Sequence, residues 1–196
     1  MTATILLVRH AVHADYGIRL SGRSDAPLSA EGLGQAERLG ARLAERGVAS
    51  VQASPRRRAQ ETATAIARHA RTAVETHDSL DEIDFAGWSG KAFAALEADP
   101  GWRAWNMLRG STRPPGGESQ GEAAARAVAH IEAQAALSDG ETLAMVTHCD
   151  VIRGVVCHYL GLPFDNLLRF DIDAASVTTL AVGTWGARVT GLNDIG

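Results

Sequence analysis

Cysteine is scarce in this 196-residue chain, which holds only Cys149 and Cys157. The two lie eight positions apart in one helix-like stretch, about 12 Å along the axis at ~1.5 Å per residue, too far for a disulfide. Both are expected as reduced thiols. Long apolar runs are missing as well. None approaches the ~20 residues of a membrane span, and the opening "MTATILLVRH" lacks the basic flank and cleavage pattern of a secretory signal. A cytoplasmic protein is the expectation. Apart from Arg56-Arg57-Arg58 there is no long basic stretch, and the net charge is -4, so the charge pattern suits neither nucleic acid nor an anionic membrane. A small ligand is the expected partner, and a homo-oligomer is left open. Repeats and low-complexity segments are absent. What remains, 45% hydrophobic and 21% charged residues, is the composition of an ordered globular protein, and the length suits one domain over residues 1–196.

The first element present is "TILLV", a run apolar on both faces and therefore suited to a buried parallel strand. Ser29 is placed to cap a helix through Glu45, with Leu33, Ala36, Leu39, Ala41 and Leu43 as its apolar positions and Gly47 to end it. "VASVQA" reads as the second strand. Ser54-Pro55 starts the next helix, with Ser54 as cap and Pro55 in the first turn, where a missing N–H costs nothing. Its inner side is marked by Ala59, Thr62, Ala63, Ile66 and Ala70, and the short strand "TAVET" follows. Residues 78–115 have weak periodicity except for a helical segment Lys91–Ala98, and read as an excursion covering one end of the sheet. Ser119 and Glu122 form a capping box for a helix to about Leu137. "ETLAMVT" is another buried strand, "VIRGVVCHYLG" a helix stopped by Gly161, and the tail from Arg169 to Leu192 two or three closing strands. The alternation predicts an α/β fold, a three-layer α/β/α sandwich with a mostly parallel central sheet.

In such a sheet ligands sit beyond the carboxyl ends of the strands. His10 follows "ILLVR" and His148 follows "LAMVT", so two imidazoles 138 positions apart are expected at one edge. Ser54 and the arginines ending with Arg58 follow the second strand and arrive at the same edge. The set suits a phosphoryl group: arginine offers a bidentate fork to its oxygens, helix N-terminal N–H groups add positive potential, and neutral imidazole is a competent nucleophile toward phosphorus. A carboxyl group must protonate the leaving oxygen, and "LDEIDFAGWSG" offers Asp81, Glu82 and Asp84.

These residues resemble the histidine phosphatase superfamily in its phosphoglycerate mutase-like branch (branch 1). "VRHA" is similar to the family's Arg-His-Gly signature, which implies that His10 becomes phosphorylated while Arg9 binds the phosphate. "SGRSDAPLSAEGLGQA" resembles the following segment, which implies substrate contacts at Ser21 and Gly22. "SPRRRAQETA" selects Arg58 among the three arginines, "LDEIDFAGWSG" selects Glu82 as the acid, and "GGES" with "VTHCDVIR" brings His148 as the second histidine. The likeness runs from about residue 5 to residue 180 in family order. Two departures stand out. Ala11 and Cys149 replace the usual glycines after each histidine, small changes for the phosphate pocket. The loop between His10 and Ser21 is a residue short, which bears on substrate contacts.

The remaining candidates have plainer readings. Arg56 and Arg57 are expected on a solvated helix face. His13, His69, His77, His130 and His158 are expected as solvated or satisfied side chains, with His13 near enough to His10 to rim the site. Trp88, Trp102 and Trp105 are candidates for the entrance, with at least one buried. "HCDVIR" puts three residues between Cys149 and Arg153, where a cysteine phosphatase loop needs five, so Cys149 is a small packing residue. "HAVH" on a strand would point its histidines to opposite faces, so no metal site and no cofactor are expected. The resemblance then implies a metal-independent phosphomonoesterase acting on a small phosphorylated metabolite. The rivals are a mutase and a catalytically silent phospholigand-binding module. Mutases of this branch carry a long insertion between the acid and the second histidine, and Glu82 and His148 are only 66 positions apart.

Overall fold

The protein was analysed as a computed structural model that describes residues 2–196. Six strands form one sheet: β1 (Thr2–Arg9), β2 (Val48–Ala53), β3 (Val74–Thr76), β4 (Thr142–Thr147), β5 (Val177–Gly183) and β6 (Gly186–Asp194), in the order β3-β2-β4-β1-β5-β6. The first four strands in that order run parallel, while β5 and β6 close the sheet antiparallel. This is the mostly parallel α/β sandwich that the alternation predicts.

Strand β1 shows why. Ala3, Ile5 and Leu7 face one layer and Leu6 and Val8 the other, so successive side chains are buried on opposite sides. Helices α1 (Ala30–Ala44) and α2 (Arg57–Ala70) cover the face of Leu6 and Val8, while α5 (Gln120–Leu137) and α6 (Cys149–Leu160) cover the other. Ser29 caps α1 by accepting from the Gly32 N–H, and the Ser119–Glu122 box is formed in both directions. The buried stripe of α1 is Gly32, Ala36, Leu39, Gly40 and Leu43, whereas Leu33 and Ala41 are exposed. Glycines at 32 and 40 let the helix lie close to its neighbours, which rotates the inner face away from those two residues. A Cβ on Gly32 would stand 1.8 Å from the Val12 carbonyl oxygen, which instead takes hydrogen bonds from the Ser29 N–H and hydroxyl.

The covering excursion differs from the expectation in detail. Its helix α3 is only Phe93–Leu96, and a further helix α4 (Pro100–Met107) follows, capped by Asp99 with Pro100 at its start. Phe85, Trp88, Leu96 and Trp105 form a small core of their own against Ala123 of α5. That self-contained packing explains the weak periodicity, because the segment folds around its own aromatics instead of laying one face on the sheet. The tail holds two strands, preceded by a 3₁₀ turn at Phe164–Arg169.

Candidate active site

The parallel register sets Arg9 beside Thr147, and the His10 N–H donates to the Thr147 carbonyl at 3.0 Å. His10 and His148 therefore leave neighbouring strand ends, with ring centroids 5.2 Å apart. From here β1 leads to α1 on one face and β4 leads to α6 on the other, which is where an open α/β sheet forms its crevice.

Hydrogen bonds fix the protons on both rings. The His10 Nδ1 lies 2.8 Å from the Ala11 carbonyl, which can only accept, so Nδ1 carries the proton. Its Nε2 accepts from Arg58 Nε at 3.1 Å. His148 Nδ1 accepts from Arg58 Nη2 at 3.1 Å, leaving its Nε2–H for Ser54 Oγ at 2.7 Å, and Ser54 in turn donates to Asp81 Oδ1 at 3.1 Å. Burial foremost, then the Arg58 cation, hold both imidazoles well below their ordinary value of 6.5. Both are neutral.

Arg58 stands in the first turn of α2 and is 1% exposed. It also donates to the carbonyls of Gly22 at 2.6 Å and Ser24 at 3.0 Å. Gly22 has φ +49°, and a Cβ there would meet Ser89 Oγ at 2.5 Å, so the turn that grips Arg58 needs glycine. Ser21 lies beside it on the cleft wall. Arg9 donates to the Ile172 carbonyl at 2.6 Å and lies over the Tyr16 ring, 5.2 Å from its centroid.

Of the three candidate carboxyls only Glu82 reaches the cleft. Burial chiefly, then Asp150, push it up to about 7 against the pull of Arg58. Its Oε2 is 3.7 Å from His148 Nδ1, and its Oε1 accepts from the Ile83 N–H at 2.9 Å. Asp81 is instead saturated by Ser54, by Arg56 Nε at 2.9 Å and by the Glu82 N–H at 2.8 Å, and Asp84 is half exposed beside Arg23.

Two sequence readings need correction here. Arg56 is not on a solvated face: it precedes the first residue of α2, and its side chain donates to Asp81 and to the Arg23 carbonyl at 2.6 Å. Ser54 is not the cap residue, because α2 starts two residues later than expected; its hydroxyl accepts from the Arg56 N–H at 3.3 Å and also joins His148 to Asp81. Arg57 is exposed and paired with Glu61. His69 and His158 are exposed, while His77 and His130 stack with centroids 4.4 Å apart and His130 meets Gln52. His13 is buried and lines the cleft.

The cleft is open and encloses about 390 Å³. Its lining also includes Phe93, Trp102, Asn106, Arg109, Asp150 and Arg153, whereas Trp88 and Trp105 are buried. Burial pushes the Asp150 carboxyl up, but Arg109 at 3.1 Å and Arg153 at 3.8 Å outweigh it and hold it below the usual range. Sequence reasoning passed over Asp150 and Arg109. The place of Asp150 two residues after His148 in the first turn of α6 was a readable signal, whereas Arg109 comes from an excursion with no pattern to read. Cys149 packs against the core and also lines the cleft; burial pushes its thiol up to about 11, and its Sγ lies 3.6 Å from the Ile172 carbonyl.

Fold and site together define the phosphoglycerate mutase-like class of α/β sandwich. The chain belongs to the histidine phosphatase superfamily (branch 1), whose family model matches residues 5–195. A bifunctional protein of Mycobacterium tuberculosis is 33% identical over 177 residues, 89% of this chain and 49% of that protein. The chain thus spans about half the length of the first curated relatives it matches. A Proteus mirabilis protein named probable phosphoglycerate mutase GpmB is 30% identical over 164 residues, covering 81% of this chain and 75% of its own. The structure of a mycobacterial glucosyl-3-phosphoglycerate phosphatase superposes with a TM-score of 0.87 at 26% identity, over 99% of this chain and 100% of that one. No helix among the described residues is long and apolar enough to cross a membrane.

Proposed function

We propose that this chain is a metal-independent, cytoplasmic phosphomonoesterase that hydrolyses a small phosphorylated metabolite through a phosphohistidine on His10. The observation that carries this reading is the protonation pattern. His10 is neutral with its proton held on Nδ1 by the Ala11 carbonyl, so the Nε2 lone pair is the free nucleophile, and Glu82 with a pKa of about 7 keeps a proton to give near neutrality.

In the first half-reaction Nε2 of His10 forms a bond to phosphorus as the ester P–O bond breaks, and the Glu82 carboxyl gives its proton to the departing oxygen. In the second, the Glu82 carboxylate takes a proton from water as the water oxygen bonds to phosphorus and the N–P bond breaks. Phosphate leaves, and Glu82 is protonated again. The Arg58 bonds to His10 and His148 are the ones a phosphoryl group takes over, so Arg58, Arg9 and His148 turn to its oxygens while the Gly22 and Ser24 carbonyls keep Arg58 in place. Ser21 and Gly22, beside Arg58 in the cleft lining, are the further substrate contacts of this reading.

The test is p-nitrophenyl phosphate hydrolysis in excess EDTA from pH 5 to 8. Wild-type turnover is expected to survive the chelator, and His10→Ala to lower it by more than about 10³-fold. Turnover retained by the variant refutes the role of His10. A wild type that is silent here yet converts 3-phosphoglycerate to 2-phosphoglycerate with a bisphosphorylated primer is a mutase.

A further inference from the structure

Beside the nucleophile sits a second imidazole that the mechanism above does not use. His13 is 7% exposed, its ring centroid is 5.3 Å from that of His10, and it lines the cleft. Its backbone is pinned by a bridge to Leu28 and by the Ala14 N–H donating to the Pro27 carbonyl at 3.1 Å. Tyr16 meets the ring edge-on at 5.9 Å.

The proton on His13 has a fixed place. Its Nδ1 accepts from the Asp15 N–H at 3.2 Å, so in the neutral ring the proton is on Nε2. Among the described residues no protein group takes a hydrogen bond from Nε2. A buried ring with one nitrogen satisfied and the other left free, on a cleft wall, is a donor waiting for an acceptor. The groups facing it are Arg58, Arg9 and Asp15, with His10 alongside. Burial first, then Arg58, lower its pKa to about 4, so the ring stays a neutral donor across the physiological range.

We propose that His13 Nε2–H binds a phosphoryl oxygen of the substrate, giving the site a neutral donor beside the Arg9 and Arg58 cations. This inference rests on the phosphatase reading and adds a substrate-binding residue to it. The ring lies 5.3 Å from that of His10, the group that takes the phosphoryl, which sets the donor beside the phosphoryl group rather than beside the leaving group. A neutral donor has an advantage there, because a third cation would drive the His10 imidazole lower still and grip the product phosphate more tightly.

His13→Phe keeps the ring and its stacking on His10 and Tyr16 while removing the donor. His13→Gln returns an N–H at about the position of Nε2. Calorimetric binding of orthovanadate and of inorganic phosphate is compared in wild type and both variants, with p-nitrophenyl phosphate kinetics alongside. Vanadate is expected to bind the Phe variant about 10- to 100-fold more weakly, KM to rise with it, and Gln to recover most of the affinity. The ratio of wild type to Phe is expected to stay constant from pH 5.5 to 8. A Phe variant that binds vanadate as tightly as an active wild type overturns the role of His13 alone. So does a ratio that grows as the pH falls, since the donor would then be an imidazolium. A wild type that neither binds vanadate nor hydrolyses the ester overturns the phosphatase reading together with it.

Discussion

Glu82→Gln is the perturbation whose size can be worked from the site. The folded protein holds this carboxyl at about 7 where an ordinary glutamate has 4.5. Between those values the native state binds a proton that the unfolded chain does not, so the contribution of Glu82 to stability is fully present below about pH 4.5 and is lost as the pH rises to 7. At about 1.4 kcal/mol for each pH step, the full loss is about 3 kcal/mol. Gln cannot ionise and escapes it. The unfolding free energy of Glu82→Gln minus that of wild type should therefore rise by about 3 kcal/mol between pH 4.5 and pH 8, whatever constant offset the substitution introduces. Urea denaturation of both proteins across that range measures it. The kinetic counterpart is a kcat that Gln lowers far more for an alkyl phosphate than for p-nitrophenyl phosphate, whose leaving group departs without a proton. A stability difference that stays flat with pH would refute the raised carboxyl and with it the assignment of Glu82 as the acid.

Two further outcomes follow from the same geometry. Arg58→Ala should lower kcat on p-nitrophenyl phosphate by about 10²–10³-fold, or about 3–4 kcal/mol, in steady-state assays, and turnover at the wild-type level would remove Arg58 from the site. Gly32→Ala drives a methyl group onto the Val12 carbonyl and should cost about 1–3 kcal/mol of stability, read as a lowered urea midpoint with unchanged slope.

The parts of this site legible in the sequence are those delivered by strand ends. "ILLVRH" and "LAMVTH" announce buried parallel strands by being apolar on both faces, and a residue directly after such a strand has little choice but to stand at the carboxyl edge, so His10 and His148 were placed by topology, which also brought the arginine run there, while the family resemblance singled out Arg58 within it. What topology cannot announce is how a polar cluster satisfies itself. Arg56 and Arg57 have the same side chain in adjacent positions, yet one is locked onto Asp81 and the other is exposed and paired with Glu61, because Arg56 is the extended residue before α2 and Arg57 is the first residue of the helix, so their side chains leave in different directions. Ser54 offers the same lesson: its pairing with Pro55 describes a helix start well, and its hydroxyl does accept from the Arg56 N–H at 3.3 Å, but the same hydroxyl also ties the buried His148 to Asp81, which no local pattern announces.

That arrangement also explains why a strand apolar on both faces ends in two polar groups. Arg9 and His10 leave the sheet where no further strand residue needs a partner, and each finds its hydrogen bond at once, Arg9 on the Ile172 carbonyl and His10 on the Ala11 carbonyl. A cluster built this way need not be fully charged to be stable. Neutral rings on His10, His13 and His148 and a proton on Glu82 below about pH 7 leave the site net cationic by its arginines, with Asp150 paired to Arg109. A phosphate dianion entering such a site meets positive charge from Arg9 and Arg58 and no carboxylate beside the phosphoryl group, provided that Glu82 keeps its proton. On the proposed mechanism the same burial that destabilises ionised Glu82 serves binding and leaving-group protonation together, and loss of that one proton weakens both.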